Sequence, residues 1–236
     1  MASYSAGSRP TTRQRILDTS LALFNKRGSA HVTTAEIAKA ASVAEGNLQY
    51  YFPTKADLLS ALFVLFEAEV HILVSREIRS DSPLEDFVEH QRSWFRLMWT
   101  HQWFYRGTFA LFLVAPTLLP RVRDMTVRNR RFVTSVFERM VEQDFLRVSP
   151  EELERLLTNI WMVATYWIDH LRFMTGKDEL GRDDLEWGYA QVVAIYAPYL
   201  TPKGEVLRHI GMAGPIRGSS ACATPSMPTI LRRSTT

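Results

Sequence analysis

Apolar residues recur every three or four positions along most of the first 200 residues, and this spacing predicts helices without strands. In the first segment Ile16, Leu17, Leu21 and Phe24 form one apolar stripe, and Gly28 marks its end. The fold class is therefore predicted to be all-α. We expect nine helices, near residues 12–27, 34–41, 45–52, 55–79, 83–101, 103–115, 121–144, 150–175 and 183–200.

Four of these starts carry a capping signature, in which a hydroxyl residue precedes an acidic residue by three positions. The hydroxyl oxygen can accept from a free backbone N–H of the first turn, and the acid can reach back to the chain before it. The four pairs are Thr33–Glu36, Thr54–Asp57, Ser82–Glu85 and Ser149–Glu152. They fix helix starts near 34, 55, 83 and 150.

The two ends of the chain lack this periodicity. Residues 203–236 are rich in Gly, Ser, Thr and Pro, so we expect a disordered tail there and a flexible arm over residues 1–10. The net charge is +3, and the tail holds a surplus of four positive charges, which leaves residues 1–202 at −1. Any basic surface on the folded part must therefore come from local placement of charges.

Composition narrows the function classes. The single cysteine, Cys222, excludes an internal disulfide framework and, with no secretory signal at the start, favours the cytoplasm. The most apolar stretch, 58–74, contains Glu67, Glu69 and His71, so we expect no contact with a membrane. No zinc, di-iron, phosphate-loop or nucleophile-elbow motif is present. We therefore expect no metal, no cofactor and no catalytic residues, with an enzyme that uses other residues as the remaining alternative.

Two short helices joined by a tight turn follow the first helix, an arrangement typical of a DNA-reading helix-turn-helix. Leu48 and Phe52 hold the second short helix to the core, and the side chains between them face outward. Asn and Gln can pair with adenine edges, and Tyr suits phosphate and sugar. Thr34, Lys55 and Arg13 are placed for backbone phosphates. The alternative is an ordinary exposed polar helix.

Residues 11–65 resemble the N-terminal domain of TetR-type (tetracycline-repressor-like) transcriptional regulators. The resemblance is carried by landmarks along the whole segment, namely Ile16, Leu21, Phe24, Gly28, Thr33-Thr34, Ile37-Ala38, Ala41, Val43, Gly46, Leu48, Tyr51-Phe52, Lys55 and Leu58-Leu59. It implies a dimeric repressor whose second short helix enters the major groove of operator DNA, and a helical C-terminal domain that binds a small inducer. The DNA-binding residues expected here are Arg13, Thr33, Thr34, Ala35, Ala44, Glu45, Gly46, Asn47, Gln49, Tyr50, Tyr51 and Lys55. Gln49, Ala35 and Ala44 depart from residues common in the family, so the operator sequence cannot be read.

Two apolar seams near the C-terminus repeat with steps of four and three, which suits helix packing at about +20°. They comprise Leu153, Leu157, Ile160, Ala164, Trp167 and Leu171 in the first helix, and Leu185, Tyr189, Val192 and Tyr196 in the second. We interpret them as a homodimer interface, partly because the resemblance implies one. The alternative is that both helices pack back on their own chain.

Aromatic residues are concentrated between positions 94 and 112, and all six tryptophans lie between 94 and 187. Such side chains can line an apolar ligand cavity or form an ordinary core. The ligand-binding candidates are Trp94, Met98, Trp99, Trp103, Phe109, Phe112, Met125, Trp161, Met162, Thr165 and Asp169. Asp169 has alternatives, as a helix cap or as one half of a pair across a dimer.

The sequence therefore predicts a homodimeric repressor released by a small apolar or aromatic effector. Its expected parts are the arm 1–10, a DNA-binding domain 11–56, a ligand-binding and dimerisation domain 57–202, and the tail 203–236. Activation instead of repression, and a partner-binding helical protein that no longer uses its DNA unit, stay open as alternatives.

Overall fold

The structure of the protein is a computed structural model that describes residues 10–75, 83–177 and 179–211, and at 83 and 108–110 the backbone alone. The described residues form ten α-helices. The first four are α1 (Thr12–Arg27), α2 (Thr34–Ala40), α3 (Glu45–Tyr51) and α4 (Lys55–Val74). The others are α5 (Pro83–Thr100), α6 (Gln102–Tyr105), α7 (Thr108–Val114), α8 (Leu118–Glu142), α9 (Pro150–Thr175) and α10 (Arg182–Tyr196). The described residues form no strand, so the all-α prediction is confirmed.

The capping signatures act as the sequence indicates at three of the four predicted sites. Thr33, Thr54 and Ser149 each accept from the backbone N–H three residues on, and the acid there accepts from the N–H of the cap. These reciprocal bonds satisfy two of the donors that every helix start leaves free. The fourth site, Ser82–Glu85, begins at a position outside the described residues.

The segment predicted as one helix over 103–115 is divided in two. Gly107 separates α6 from α7 and has φ +68°, the left-handed region that glycine adopts without a steric penalty. The Asp169 side chain accepts from the Gly107 N–H at 3.0 Å, which fixes this corner against α9. Periodicity did not indicate the break, because apolar side chains continue through it.

The disordered tail was predicted to begin at Lys203, but the described residues continue as folded structure to residue 211. Residues 205–209 form a short 3₁₀ turn with Leu207 buried, and Arg92 on α5 donates from Nε and Nη2 to the Gly211 carbonyl at 3.0 and 2.6 Å. A Cβ on Gly204 would lie 2.0 Å from the Phe145 carbonyl oxygen, so glycine is required where this segment crosses the end of α8. The rest of the predicted tail, from 212, and the arm up to residue 9 lie outside the described residues.

Candidate nucleic-acid interface and ligand cavity

The turn between α2 and α3 is closed by its own backbone. The Val43 N–H donates to the Ala38 carbonyl at 3.0 Å and the Ser42 N–H to the Lys39 carbonyl at 3.2 Å, the two bonds of a Schellman helix end. Ser42 has φ +54°, a left-handed conformation in which a non-glycine residue carries some strain. These bonds set the angle at which α3 leaves α2.

A network of polar contacts holds the start of α2 against the end of α1. Arg27 donates to Glu36 Oε1 at 2.8 Å and to the His31 carbonyl at 2.7 Å. Glu36 also accepts from the Thr33 backbone N–H at 2.8 Å. The Thr33 contacts and the Arg27 guanidinium together lower the pKa of Glu36 to about 2, so this carboxylate stays charged and the cap stays formed at neutral pH.

The outward side of α3 exposes the residues that the sequence singled out. Leu48 and the following Phe52 are buried and attach the helix to α1 and α4. Tyr50 is 80% exposed and its ring meets that of Tyr51 edge to face at 5.3 Å. We call this exposed set the reading surface, and it consists of Glu45, Gly46, Asn47, Gln49, Tyr50 and Tyr51.

Gly46 is the one member of the reading surface without a side chain. A Cβ built at this position meets no atom of the protein within 4 Å. The packing of the chain therefore does not require glycine here. Glycine in the first turn of α3 leaves the helix backbone open to close approach from outside.

Two basic residues flank the reading surface. The Arg13 guanidinium lies 5.3 Å from the centre of the Phe52 ring, and Lys55 Nζ lies 6.0 Å from the centre of the Phe24 ring. Partial burial lowers the pKa of Lys55, against the opposing effect of the Glu36 charge. Both side chains lay their apolar stems or planes on aromatic rings and leave a cation near the surface.

The twelve predicted DNA-binding residues therefore come together at one end of the molecule, on α1, α2, α3 and the start of α4. Ten are exposed, and Thr34 and Lys55 are half-buried. The Thr33 hydroxyl already takes part in the α2 cap, where it donates to Glu36 Oε2 and accepts from the Glu36 N–H, so it is not available solely for DNA.

A cavity of about 230 Å³ lies between α5, α8, α9 and α10, well away from the reading surface along the chain. Aromatic and aliphatic side chains make most of its wall, among them Phe87, Trp94, Phe95, Phe137 and Trp161. Polar groups also reach it, from His90, Gln91, Thr126, Asn129, Arg130, Thr158 and Thr165. The combination of an apolar wall and a few polar groups is typical of small-molecule sites.

Three of the eleven predicted ligand residues line this cavity: Trp94, Trp161 and Thr165. The others lie elsewhere among the described residues, with one exception. Met98, Trp103 and Met125 are core residues, Trp99 and Phe112 pack against the core, Met162 is exposed, and Asp169 holds the Gly107 corner. The side chain of Phe109 is outside the description.

The sequence interpretation missed the polar residues of the cavity, above all Gln91 and Asn129. Both lie on apolar stripes: Gln91 follows Phe87 by four on α5, and Asn129 follows Met125 by four on α8. A buried amide on an apolar stripe was the available signal. At Asn129 this signal was weak, because the neighbouring residues Arg128 and Arg130 are charged and the segment resembles a solvent-exposed helix.

The seam residues assigned to a dimer interface form a different contact. All ten are buried or half-buried within one chain. The helices α9 and α10 pack on each other, four of the ten line the cavity, and Tyr189 and Tyr196 bond to Gln91 on α5. A Cβ on Gly188 would lie 2.5 Å from a ring atom of Trp167, so the two helices touch at this point. The spacing identified the apolar faces correctly but not the partner that covers them, because periodicity carries no information about which chain supplies that partner.

The opposite sides of α9 and α10 expose apolar side chains that the described residues do not cover. We call this set the outer face, and it comprises Met162, Tyr166, Phe173, Met174 and Trp187. Phe173 is 87% exposed, and the His170 and Trp187 rings stack at 6.2 Å with their planes 7° apart. Exposed apolar side chains that cluster on one side of a helix are candidates for an interaction surface.

The helix-turn-helix is joined to the cavity helices through α6. The Asn25 side chain at the end of α1 donates to the Thr100 carbonyl and accepts from the Trp103 N–H, each at 2.8 Å. Arg106 donates to the carbonyls of Asn25 and Lys26. The end of α1 is thereby fixed to the junction of α5 and α6.

In the part of the chain that the structure describes, no helix is long and apolar enough to cross a membrane. The same residues contain no group of three or more His, Cys, Asp or Glu side chains arranged to hold a metal ion.

Two family models match the chain. Residues 16–62 match the model described as bacterial regulatory proteins of the tetR family, and residues 65–206 match the TetR model, described as a bacterial transcriptional repressor. The two matches cover the helix-turn-helix and nearly all of the cavity domain.

Individual proteins give a consistent result. The HTH-type transcriptional regulator AcrR of Shigella flexneri is 42% identical over 59 residues, 25% of this chain and 27% of that protein. The probable HTH-type transcriptional regulator ArpR of Pseudomonas putida is 35% identical over 74 residues, 31% of this chain and 35% of that protein. This chain thus aligns with only about a third or less of these curated relatives.

A solved structure extends the similarity over the whole fold. A TetR-family transcriptional regulator from Marinobacter aquaeolei VT8 is 29% identical, with a TM-score of 0.72. The superposition covers 84% of this chain and 95% of that one.

Proposed function

Because the chain belongs to the TetR family of bacterial transcriptional regulators, we propose that it is a sequence-specific DNA-binding regulator, a homodimeric repressor that a small apolar or aromatic effector releases from its operator. The observation that carries the proposal is the reading surface on α3. It presents amide and phenol groups to solvent, while the core side of the same helix is buried.

In this proposal α3 lies in the major groove of operator DNA. Asn47 and Gln49 have amides that form paired hydrogen bonds with adenine edges, and Tyr50 and Tyr51 reach phosphate and sugar. Gly46 allows the helix backbone to come close to the DNA. Arg13 and Lys55 at its two flanks supply cations to the phosphate backbone, so affinity falls as salt rises.

The proposed dimer forms through the outer face. Met162, Tyr166 and Phe173 are spaced by four and seven residues along α9, which puts them on one side of the helix. Burial against the same face of a second chain removes these side chains from water, and two-fold symmetry makes the contact self-complementary. A dimer presents two reading surfaces, which bind half-sites about 34 Å apart or a multiple of this distance.

Effector release acts through α6 in this proposal. The cavity is walled by α5 and α9, and both helices connect to the end of α1, α5 through Thr100 and α9 through Asp169 at the Gly107 corner. A ligand that changes the spacing of α5 and α9 therefore changes the position of α1. The helix-turn-helix packs on α1, so the distance between the two reading surfaces of the dimer changes with it.

The test is a gel-shift titration with the DNA that flanks the gene of this protein. We expect tight, competitor-resistant binding by the wild type and loss of at least about a hundredfold in affinity for the Asn47→Ala, Tyr50→Ala double variant, because two base or backbone contacts are removed. The matched control is Gln143→Ala, an exposed amide at the end of α8.

Equal, weak and sequence-indifferent binding by wild type and double variant would contradict the proposal. A reporter placed behind the same DNA separates repression from activation, since deletion of the gene raises the signal in the first case and lowers it in the second.

A further inference from the structure

One buried polar group in the cavity has no partner. Asn129 on α8 is 6% exposed, and its Oδ1 receives no hydrogen bond from any described residue. A buried acceptor without a donor destabilises a fold, and nearly all such groups in native proteins are paired. Asn129 is one of the residues that line the cavity, and Oδ1 itself has almost no accessible surface, so a rotation of the amide lets a molecule inside the cavity supply the missing donor.

Gln91, the other buried amide in the wall of the cavity, has hydrogen-bond partners for its side-chain oxygen. Gln91 on α5 accepts at Oε1 from the Tyr189 hydroxyl at 3.0 Å and from the Tyr196 hydroxyl at 3.2 Å. Both tyrosines belong to α10, so the amide ties α5 to α10. Gln91 thus has a structural reason for its place on an apolar stripe, and Asn129 has no equivalent within the described residues.

The size and wall of the cavity limit what can donate to Asn129. Its volume is about 230 Å³, whereas an apolar cavity of about 150 Å³ in another protein holds one benzene. A ligand of one or two rings therefore fits. The flat faces of Trp94 and Trp161 and the Phe87 ring favour an aromatic or alicyclic body.

The charges around the cavity favour a neutral ligand. Two ionisable side chains, His90 and Arg130, line it. Arg130 lies 3.5 Å from the Glu154 carboxylate and donates to the Thr158 hydroxyl at 3.4 Å, and both charged side chains are about half exposed or more, so the Arg130 charge is paired and solvated outside the apolar wall. The His90 ring packs between aromatic neighbours, 6.4 Å from Trp94 and 4.7 Å from Phe132. An anion would have to leave water without an uncompensated cation to receive it.

We propose that the cavity binds a neutral, mainly apolar molecule of one or two rings whose hydroxyl or N–H group donates to Asn129 Oδ1. The role of this molecule as an effector rests on the function proposed above, but its binding to the cavity does not. Recognition by Asn129 selects donor-bearing ligands over equally shaped hydrocarbons, because the hydrocarbon leaves the amide unpaired.

The experiment compares four naphthalene probes by equilibrium dialysis with the full chain. The probes are 2-naphthol, its isosteric hydrocarbon 2-methylnaphthalene, the acceptor-only ether 2-methoxynaphthalene and the anion 2-naphthoate. We expect 2-naphthol to bind at least about tenfold more tightly than the other three. The comparison is stringent, since transfer from water alone favours the more apolar methyl compound.

The variant Asn129→Leu replaces the amide by an apolar side chain of similar size. We expect it to bind 2-methylnaphthalene as tightly as the wild type or more tightly, and to lose the preference for 2-naphthol. The control Gln143→Leu makes the same kind of change at an exposed amide at the end of α8 and keeps the preference. If Asn129→Leu does not fold, the four probes on the wild type still decide the matter.

Equal binding of the naphthol and the hydrocarbon, tight binding of the ether or the anion, or no binding of any probe would each overturn the inference. A parallel gel shift keeps this result separate from the proposed function. If the wild type binds operator DNA but does not prefer 2-naphthol, only the ligand assignment is wrong. If it prefers 2-naphthol but does not bind operator DNA, only the proposed regulatory function is wrong.

Discussion

The helix-turn-helix and the cavity domain use polar side chains in opposite ways. On α3 the amides of Asn47 and Gln49 are exposed to solvent. In the cavity domain the amides of Gln91 and Asn129 are buried, one paired with two tyrosines and one unpaired. Exposed amides on one side of a helix are available to a macromolecule such as DNA. A buried amide oxygen without a donor is available only to a small molecule that enters the fold.

Two glycines give the same contrast at backbone level. A Cβ on Gly46 of α3 would meet open space, but a Cβ on Gly188 of α10 would lie 2.5 Å from the Trp167 ring. Gly188 is therefore required by packing between helices of this chain, and Gly46 is not.

The largest effect is expected at the outer face. The Tyr166→Glu, Phe173→Glu variant places two charges on each side of the proposed two-fold contact, four in all. An unpaired charge buried at an interface costs about 3 kcal/mol or more, so the dimer should dissociate at micromolar concentration. Light scattering after size exclusion measures the mass. The control Leu113→Glu changes a residue of α7 that is 86% exposed and lies outside the outer face.

If the wild type is monomeric, or if the double variant stays dimeric, the outer face is not the dimer interface. In either case the α9–α10 seam remains an internal contact, since its residues are buried in one chain.

The next effect concerns packing within the cavity domain. Gly188→Ala forces a methyl group onto the buried Trp167 ring, and such overpacking lowers the free energy of unfolding by about 1–3 kcal/mol, of which a gain of about 1 kcal/mol in helix propensity offsets a part. Urea denaturation measures it. Adding Trp167→Phe, which shortens the ring system at the point of contact, should recover part of the loss. A stability equal to wild type in Gly188→Ala would mean that α10 moves away from α9 at no cost.

The helix-turn-helix was predictable in detail because its signals are local. The caps at Thr33 and Thr54, the break at Pro53 and the buried pair Leu48 and Phe52 fix which side of α3 faces outward. Each depends on residues within four positions of one another. The cap at Thr33 also assigns that hydroxyl to the fold, a use that a list of contact residues does not reveal.

The cavity domain was predictable only as a set of helices. Apolar spacing located α8, α9 and α10 to within four residues at each end. It could not tell that Leu157, Ile160 and Ala164 face a cavity and that Tyr166 faces outward. Those assignments depend on which helices pack together, a long-range property. Aromatic density was a poor guide for the same reason, since Trp103 is buried outside the cavity wall and Phe104 packs against Phe63 and Phe66 of α4.

A smaller effect, with opposite signs in two measurements, is expected at Gly46. Gly46→Ala adds a methyl group that meets no atom of the protein, so it should stabilise the fold by about 0.5–1 kcal/mol through helix propensity. The same methyl should weaken operator binding if α3 lies close to DNA. Urea denaturation and gel shift on one preparation measure both. A variant that is more stable and binds DNA unchanged would show that the reading surface does not approach DNA at this position.

The smallest effect concerns the charge that holds the α2 cap. The pKa of Glu36 is lowered to about 2 by its bonds to Thr33 and by Arg27, from an ordinary value of 4.5. Its contribution to stability is therefore complete above about pH 4.5 and is lost as the pH falls towards 2.

Glu36→Gln keeps an acceptor for the Thr33 N–H but removes the charge, so it should be slightly less stable than wild type at pH 7, and the difference should be smaller at pH 2.5, close to the pKa of about 2 in the folded state. Denaturation of both proteins at these two pH values measures the difference, and Glu138→Gln, an exposed acid on α8, controls for a general effect of charge. A difference as large at pH 2.5 as at pH 7 would assign the role of Glu36 to its shape and not to its charge. In that case the ion pair with Arg27 would contribute nothing to the position of the helix-turn-helix.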